Sequence, residues 1–195
     1  MSETHAAAQQ TESAKQQIES ANHQNENNLN TNQTELIDQL LFDQLAFIRS
    51  MTVKNMQAID PALTDRMPTG YRNHIRWQAI HLWFVLERFA FHLTGAGYPA
   101  HDADLVLYGN GSSPANWVGV DVPKMEEVVA LMSSQAERIR TALSGKLDQP
   151  LVQPLTTATG LTMNSARALI TYAIFHEGMH LSQIKMYVKL LNDEV

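Results

Sequence analysis

The chain has no cysteine among its 195 residues. That excludes disulfides, iron–sulfur clusters, thiolate zinc sites and cysteine nucleophiles, and it fits a reducing compartment. No run of about 18 apolar residues exists, so no segment is expected to span a membrane. The N-terminus lacks the basic start and apolar core of a secretory signal, and a cytoplasmic protein is expected. Positive charge is also scarce. Fourteen Lys and Arg stand against 20 Asp and Glu, a formal net charge of −6, with no basic cluster. Binding to a nucleic-acid backbone is therefore not expected. Strand-like alternation is nearly missing, with only Leu105-Val106-Leu107-Tyr108 able to pair briefly.

What is present is 44% hydrophobic content, enough for one sizeable core. Residues 1–33 contribute little to it. They are rich in Gln, Asn, Ser, Ala and Glu, with Ile18 and Leu29 as the large aliphatics, and carry four acids against one lysine. Such a segment cannot offset its ordering entropy by burial, so a disordered tail or at most a frayed helix is expected. The domain is expected over 34–195, opening at Thr34 as an N-cap with Glu35 in the first turn.

Four amphipathic stretches follow, over about 35–57, 70–93, 122–144 and 163–191. The first carries Ile37, Leu40, Leu41, Leu45, Ile48 and Met51 on one stripe, and the third starts after Asp121 as a cap. Four long helices in one domain predict an all-α four-helix bundle. Between the second and third lie residues 94–120, rich in Gly and Pro. A connection that long can cross the end of a bundle, leaving its flanking helices parallel, and can roof a pocket. The link over 145–162, with Pro150 and Pro154, reads as plain connection.

The chemistry concentrates in His176-Glu177-Gly178-Met179-His180. Histidines four apart on a helix point the same way, and two such imidazoles can share one metal ion. The string also fits the H-E-x-x-H signature of zinc peptidases, whose glutamate is a general base. That reading lacks a downstream third ligand. After His180 the same helix simply continues through Ile184, Tyr187, Val188 and Leu191, Glu194 is the last glutamate, and Ser182-Gln183 and Met186 replace the metzincin extension. Both histidines lie on the core-facing stripe of residues 169, 173, 176, 180, 187 and 190, where an imidazole must be hydrogen-bonded or bound to metal. A third ligand has to come from upstream. The second helix offers His74 and His81, one heptad apart, too far for one ion to take both. Spacing favours His81, deep in the apolar part, over His74, which suits a surface or capping role. His5, His23, His92 and His101 fall in tail, helix-end or loop contexts.

Trp77-x-x-x-His81 followed by Glu87-Arg88-Phe89, together with His176-Glu177-x-x-His180-Leu181-x-Gln183-Ile184, resembles the second and closing helices of the DinB/YfiT-like superfamily. The resemblance covers about residues 35–191. It implies a four-helix bundle of up-down-down-up order that binds a divalent metal, nickel or zinc, through three histidines falling on His81, His176 and His180. It also implies metal-dependent transfer of a low-molecular-weight thiol to a small electrophile, with the thiol as cosubstrate. Arg76, Arg88, Tyr108, Asn110 and Trp117 are candidates to contact an anionic thiol, although a surface ion pair is the leading expectation for Arg88. Glu177 is the candidate catalytic base. Gly178, costly inside a helix, either permits close packing or leaves space beside the metal. The alternatives are a metal-dependent hydrolase and a non-catalytic bundle pinned by metal, with a homodimer or partner surface.

Overall fold

The computed structural model describes residues 3–97 and 102–193. The chain is mostly helical, with one small two-stranded sheet. Helix α1 spans Glu3–Gln57, α2 Ile75–Glu87, α3 Asp102–Tyr108, α4 Met125–Leu143 and α5 Ala166–Asp193; the strands are β1 (Pro150–Thr156) and β2 (Thr162–Ser165). Residues 1–40 and 41–195 form separate compact units. None of the described helices is long and apolar enough to cross a membrane.

Local chemistry sets the boundaries. Thr34 is not a cap: it lies inside α1, its hydroxyl donating to the Asn30 carbonyl at 3.0 Å. His74 caps α2, its Nδ1 accepting from Trp77 N at 3.1 Å. Asp121 does not open α4; Lys124 is the N-cap, and Glu127 accepts from its backbone N–H at 2.7 Å. At its C-terminal end α2 widens into a π-helical turn over Arg88–His92, where Leu93 N donates to Arg88 O at 3.0 Å.

Two expectations about strands are corrected. Leu105–Tyr108 is helical, the second half of α3. The link over 145–162 is instead the β1–β2 hairpin, antiparallel with Leu155 opposite Met163. Its two prolines are tolerated because the sheet has only edge strands. Val152 N donates to Leu93 O at 2.9 Å, which ties β1 to the end of the π-helical turn.

Within residues 41–195 the apolar side chains form two clusters. One gathers Leu45, Leu86, Phe89, Ile139, Leu143, Leu169 and Ile170. The other gathers Ile75, Ile80, Val128, Met132, Ile184, Tyr187 and Leu191. The buried polar groups are few and mostly paired. Glu87 takes both Arg138 Nη1 (2.7 Å) and Nη2 (2.9 Å) and the Gln135 amide (3.0 Å). Arg49 and Glu177 form an ion pair that is buried on both sides.

Candidate metal centre

Helix α2 supplies His81, and α5 supplies His176 and His180 one turn apart. The fold brings these three together. His176 Nε2 lies 3.3 Å from His81 Nε2 and 3.1 Å from His180 Nε2. His81 is held by ring stacking on Trp77, centroids 4.7 Å apart and planes within 11°, while Trp77 Nε1 donates to Ser112 Oγ at 3.2 Å.

The far side of each ring decides its chemistry. His81 Nδ1 lies 2.6 Å from the Tyr108 carbonyl, and His180 Nδ1 pairs with Gln78 Oε1. Both partners are acceptors only, so both Nδ1 atoms carry the proton and both Nε2 atoms are bare lone pairs in the neutral rings. Gln78 is held in turn by the Tyr187 hydroxyl, which also receives Gln183 Nε2 at 2.9 Å. At most one proton, on His176 Nε2, is then available to two contacts. One pair of nitrogens is left facing each other at hydrogen-bond distance with nothing between them. A cation resolves the conflict. Two nitrogens about 2.0–2.1 Å from a shared ion in tetrahedral geometry stand roughly 3.3 Å apart, close to the observed spacings.

A proton cannot be that cation near neutral pH. Burial, then the neighbouring His81, then Arg49, lowers the His176 pKa to about 4. Burial followed by His81 and His176 lowers His180 to about 3. Burial also lowers His81, against the pull of the Tyr108 carbonyl. Three neutral imidazoles converging on one point fit a divalent metal of borderline softness. Among the described residues this is the one histidine and carboxylate group compact enough to hold an ion.

The other candidates lie elsewhere. His74 is buried as the α2 cap, its Nε2 3.8 Å from Asp65. His23 and His92 are exposed. His5 and His101 lie outside the described residues and side chains. Glu177 turns to Arg49 Nη2 at 3.0 Å, and both side chains are almost wholly buried. Burial raises the Glu177 pKa, opposed by Arg49 and by a hydrogen bond from Thr52. Gly178 has nothing within 4 Å of where a Cβ would stand, so it is not required for close packing.

A cavity of about 660 Å³ opens over the triad. His81, His176 and His180 are in its wall; Glu177 is not. α3 and the following loop contribute Leu105, Asn110 and Ser112, so the described part of the long connection lines the cavity. The tip of the β1–β2 hairpin, Thr156–Thr159, forms part of the rim, a contribution the sequence reading missed when it took this link for plain connection. Of the candidate ligand contacts, Arg88 and Asn110 reach the cavity. Arg76 instead pairs with Asp65 at 2.6 Å and lies over Trp117. Trp117 is buried, its indole N–H on the Leu107 carbonyl. Tyr108 acts through its backbone carbonyl. Arg88 forms no ion pair among the described residues, contrary to expectation.

The sequence profile of the DinB superfamily matches residues 44–184, a span that includes all three histidines. No curated protein matches the chain. A protein from Exiguobacterium sibiricum 255-15 that carries a DinB-family assignment is similar in structure, with a TM-score of 0.54 at 20% identity, over 81% of this chain and 93% of that one. At that identity the likeness speaks for the fold alone. With its profile match spanning most of the sequence, this chain belongs to the DinB superfamily.

Proposed function

We propose that this DinB-superfamily protein binds one divalent ion, nickel or zinc, through His81, His176 and His180, and transfers a low-molecular-weight thiol to a small electrophile. The observation that carries the reading is the convergence of three Nε2 atoms, two of them left bare by the hydrogen bonds at their Nδ1 atoms. Bound there, the ion would supply Lewis acidity and draw the pKa of a thiol toward neutrality. The chain's own residues do the rest. Tyr108 O and Gln78 Oε1 fix the tautomer and orientation of two rings. Trp77 and Phe84 give the wall an apolar side that limits water, and the cavity volume suits a small molecule. In the transfer, the sulfur forms a bond to the electrophilic carbon as the leaving group departs with its electron pair. The thiol proton goes to solvent through the open cavity, since no carboxylate lines it among the described residues.

A hydrolase would call on Glu177 as base. The Arg49 contact and its absence from the cavity wall give that reading less support. The non-catalytic reading draws on a different observation: the triad joins α2 to α5, so an ion would pin the two helices together. The long helices are read as a four-helix bundle of up-down-down-up order, with the segment containing α3 as the crossover from α2 to α4. Residues 34–195 are taken as the functional domain of a cytoplasmic protein with a small-molecule substrate, and no chemistry is assigned to 1–33.

The test is elemental analysis of protein carrying no histidine tag, beside the His176→Ala/His180→Ala and His74→Ala variants. About one nickel or zinc per chain in the wild type and in His74→Ala, absent from the double variant, is expected. Thiol-dependent consumption of an electrophile that stops on chelation and returns with metal would then support the transferase. Metal loss that unfolds the protein, without any thiol-dependent turnover, would favour the non-catalytic bundle.

A further inference from the structure

Arg88 is half-buried in the wall of the histidine cavity, and burial lowers its pKa. No carboxylate, carbonyl or aromatic face engages its guanidinium among the described residues. Among the other half-buried arginines, Arg76 pairs with Asp65, Arg140 with Asp43 and Arg167 with Asp148, and Arg66 is engaged as well; even the more exposed Arg138 pairs with Glu87. Withdrawing a permanent charge from water without a partner is costly. Such an arrangement persists where a ligand completes it.

The surroundings agree on the ligand's charge. Arg72 is a second cavity-wall arginine, exposed and likewise without a partner among the described residues. No Asp or Glu lines the cavity among the described residues, although acids outnumber bases in the chain as a whole. The remaining polar wall is hydroxyl and amide: Ser112, Asn110 and the hairpin threonines. Three neutral imidazoles would also leave the charge of a bound divalent ion uncompensated.

Position adds a length. Arg88 follows His81 by about two helical turns, roughly 10 Å along the axis and within about 20° on the same face. Helical side chains lean toward the N-terminus, the direction in which His81 lies. The geometry points to an anion subsite: Arg88, with Arg72 on the same wall, takes a carboxylate on a small ligand whose donor end lies at His81, His176 and His180. This rests on the metal-thiol reading for the identity of the donor end. It narrows the substrate class to thiols that carry a carboxylate within roughly 10 Å of the sulfur.

The test compares 6-mercaptohexanoate, 6-mercaptohexanol and hexanoate on nickel-loaded protein. Thiol ligation is read from the sulfur-to-nickel absorption, and hexanoate binding by calorimetry. The acid is expected to bind about tenfold or more tightly than the alcohol, because a charge-assisted pair is present only with the acid. Arg88→Met should bring the two thiols to near equality by weakening the acid, and Arg88→Lys should keep part of the preference. Circular dichroism of each variant checks that it is folded. Equal binding of acid and alcohol by the wild type, or a preference that survives Arg88→Met, overturns the subsite while leaving the thiol reading intact. If neither thiol alters the absorption, the thiol reading fails, and hexanoate alone decides. Arg88-dependent hexanoate binding upholds the subsite, and no binding overturns it.

Discussion

Arg49 Nη2 stands 3.0 Å from Glu177 Oε2, with 3% and 2% of the two side chains exposed. The residue beside His176, the first candidate ligand of α5, is therefore committed to a charge inside the protein. The pairing is incomplete: Arg49 Nε and Nη1 and Glu177 Oε1 are buried without a hydrogen-bond partner. A pair of this kind is weak evidence of net stabilisation, but breaking one side leaves an uncompensated buried charge. Glu177→Gln and Arg49→Met should each cost about 3–5 kcal/mol in denaturant unfolding. The Arg49→Met/Glu177→Leu double variant should recover most of that loss. Single costs below about 1 kcal/mol would mean that the pair is solvated and that Glu177 is free for another role.

Gln78 gives a second prediction, on the metal itself. Its Oε1 fixes the His180 ring. Removing a hydrogen-bond partner of a metal-bound histidine typically costs 10–100-fold in affinity. Gln78→Leu should weaken nickel or zinc binding by about that factor in a chelator competition. Gln78→Glu keeps an acceptor in place and should retain the affinity. Equal affinity in Gln78→Leu and wild type would show that His180 needs no such orientation.

The candidate metal-binding helix was legible because its signal is local. Two histidines four apart, set among Leu169, Ala173 and Tyr187, point to a core-facing stripe. Those three residues are buried, but His176 and His180 are half-buried at its edge in the cavity wall, and the buried position between them is Glu177. The third histidine was less so. His74 and His81 differ by a heptad and share a face, and it is the cap made by His74 to Trp77 N that separates their roles. The hairpin was hidden for a physical reason. Its register shifts between Pro150 and Leu155, and position 153, which alternation between the inward leucines 151 and 155 would fill with an apolar residue, is an exposed Gln. The period-two pattern that announces a strand is lost, and two prolines speak against one. Arg88 was misjudged because local sequence shows neighbours along the chain, not the absence of an acid across a cavity. Nor does anything in the sequence around Glu177 point to Arg49, a partner from another helix.

His74 makes the stability depend on pH. Burial lowers its pKa to about 4, against Asp65, which raises it. The unfolded imidazole titrates near 6.5, so between about 6.5 and 4 the unfolded state takes up a proton that the folded state refuses. Stability from this residue is thus complete above pH 6.5 and falls as pH drops toward 4, with no further loss below. The slope is bounded by about 1.4 kcal/mol per pH unit, and partial solvent screening keeps it smaller. His74→Asn retains a good capping acceptor and removes the titration. Its unfolding free energy should match the wild type at pH 7.5 and exceed it at pH 4.5. Parallel curves for the two proteins would show that His74 protonates freely in the folded state.

Two glycines should respond in opposite directions to the same substitution. Gly178 lies within α5, where glycine costs about 1 kcal/mol relative to alanine. A Cβ there meets nothing within 4 Å, and the backbone is helical. Gly178→Ala should therefore raise stability by about 0.5–1 kcal/mol and leave any metal stoichiometry unchanged, even though the position sits between His176 and His180. Gly95 has φ +75°, and a Cβ there would stand 2.8 Å from Val152 Cγ2. That contact comes from β1, whose backbone is held by the Val152 N–H bond to Leu93 O, so relief has to come from turning the exposed valine side chain, and the positive φ remains the larger cost. Gly95→Ala should lose stability by more than about 1 kcal/mol, from left-handed strain and the clash together. Thermal unfolding of the two variants checks both signs. Destabilisation by Gly178→Ala would show that the space beside His176 and His180 must stay empty for a bound ligand or for packing against another chain.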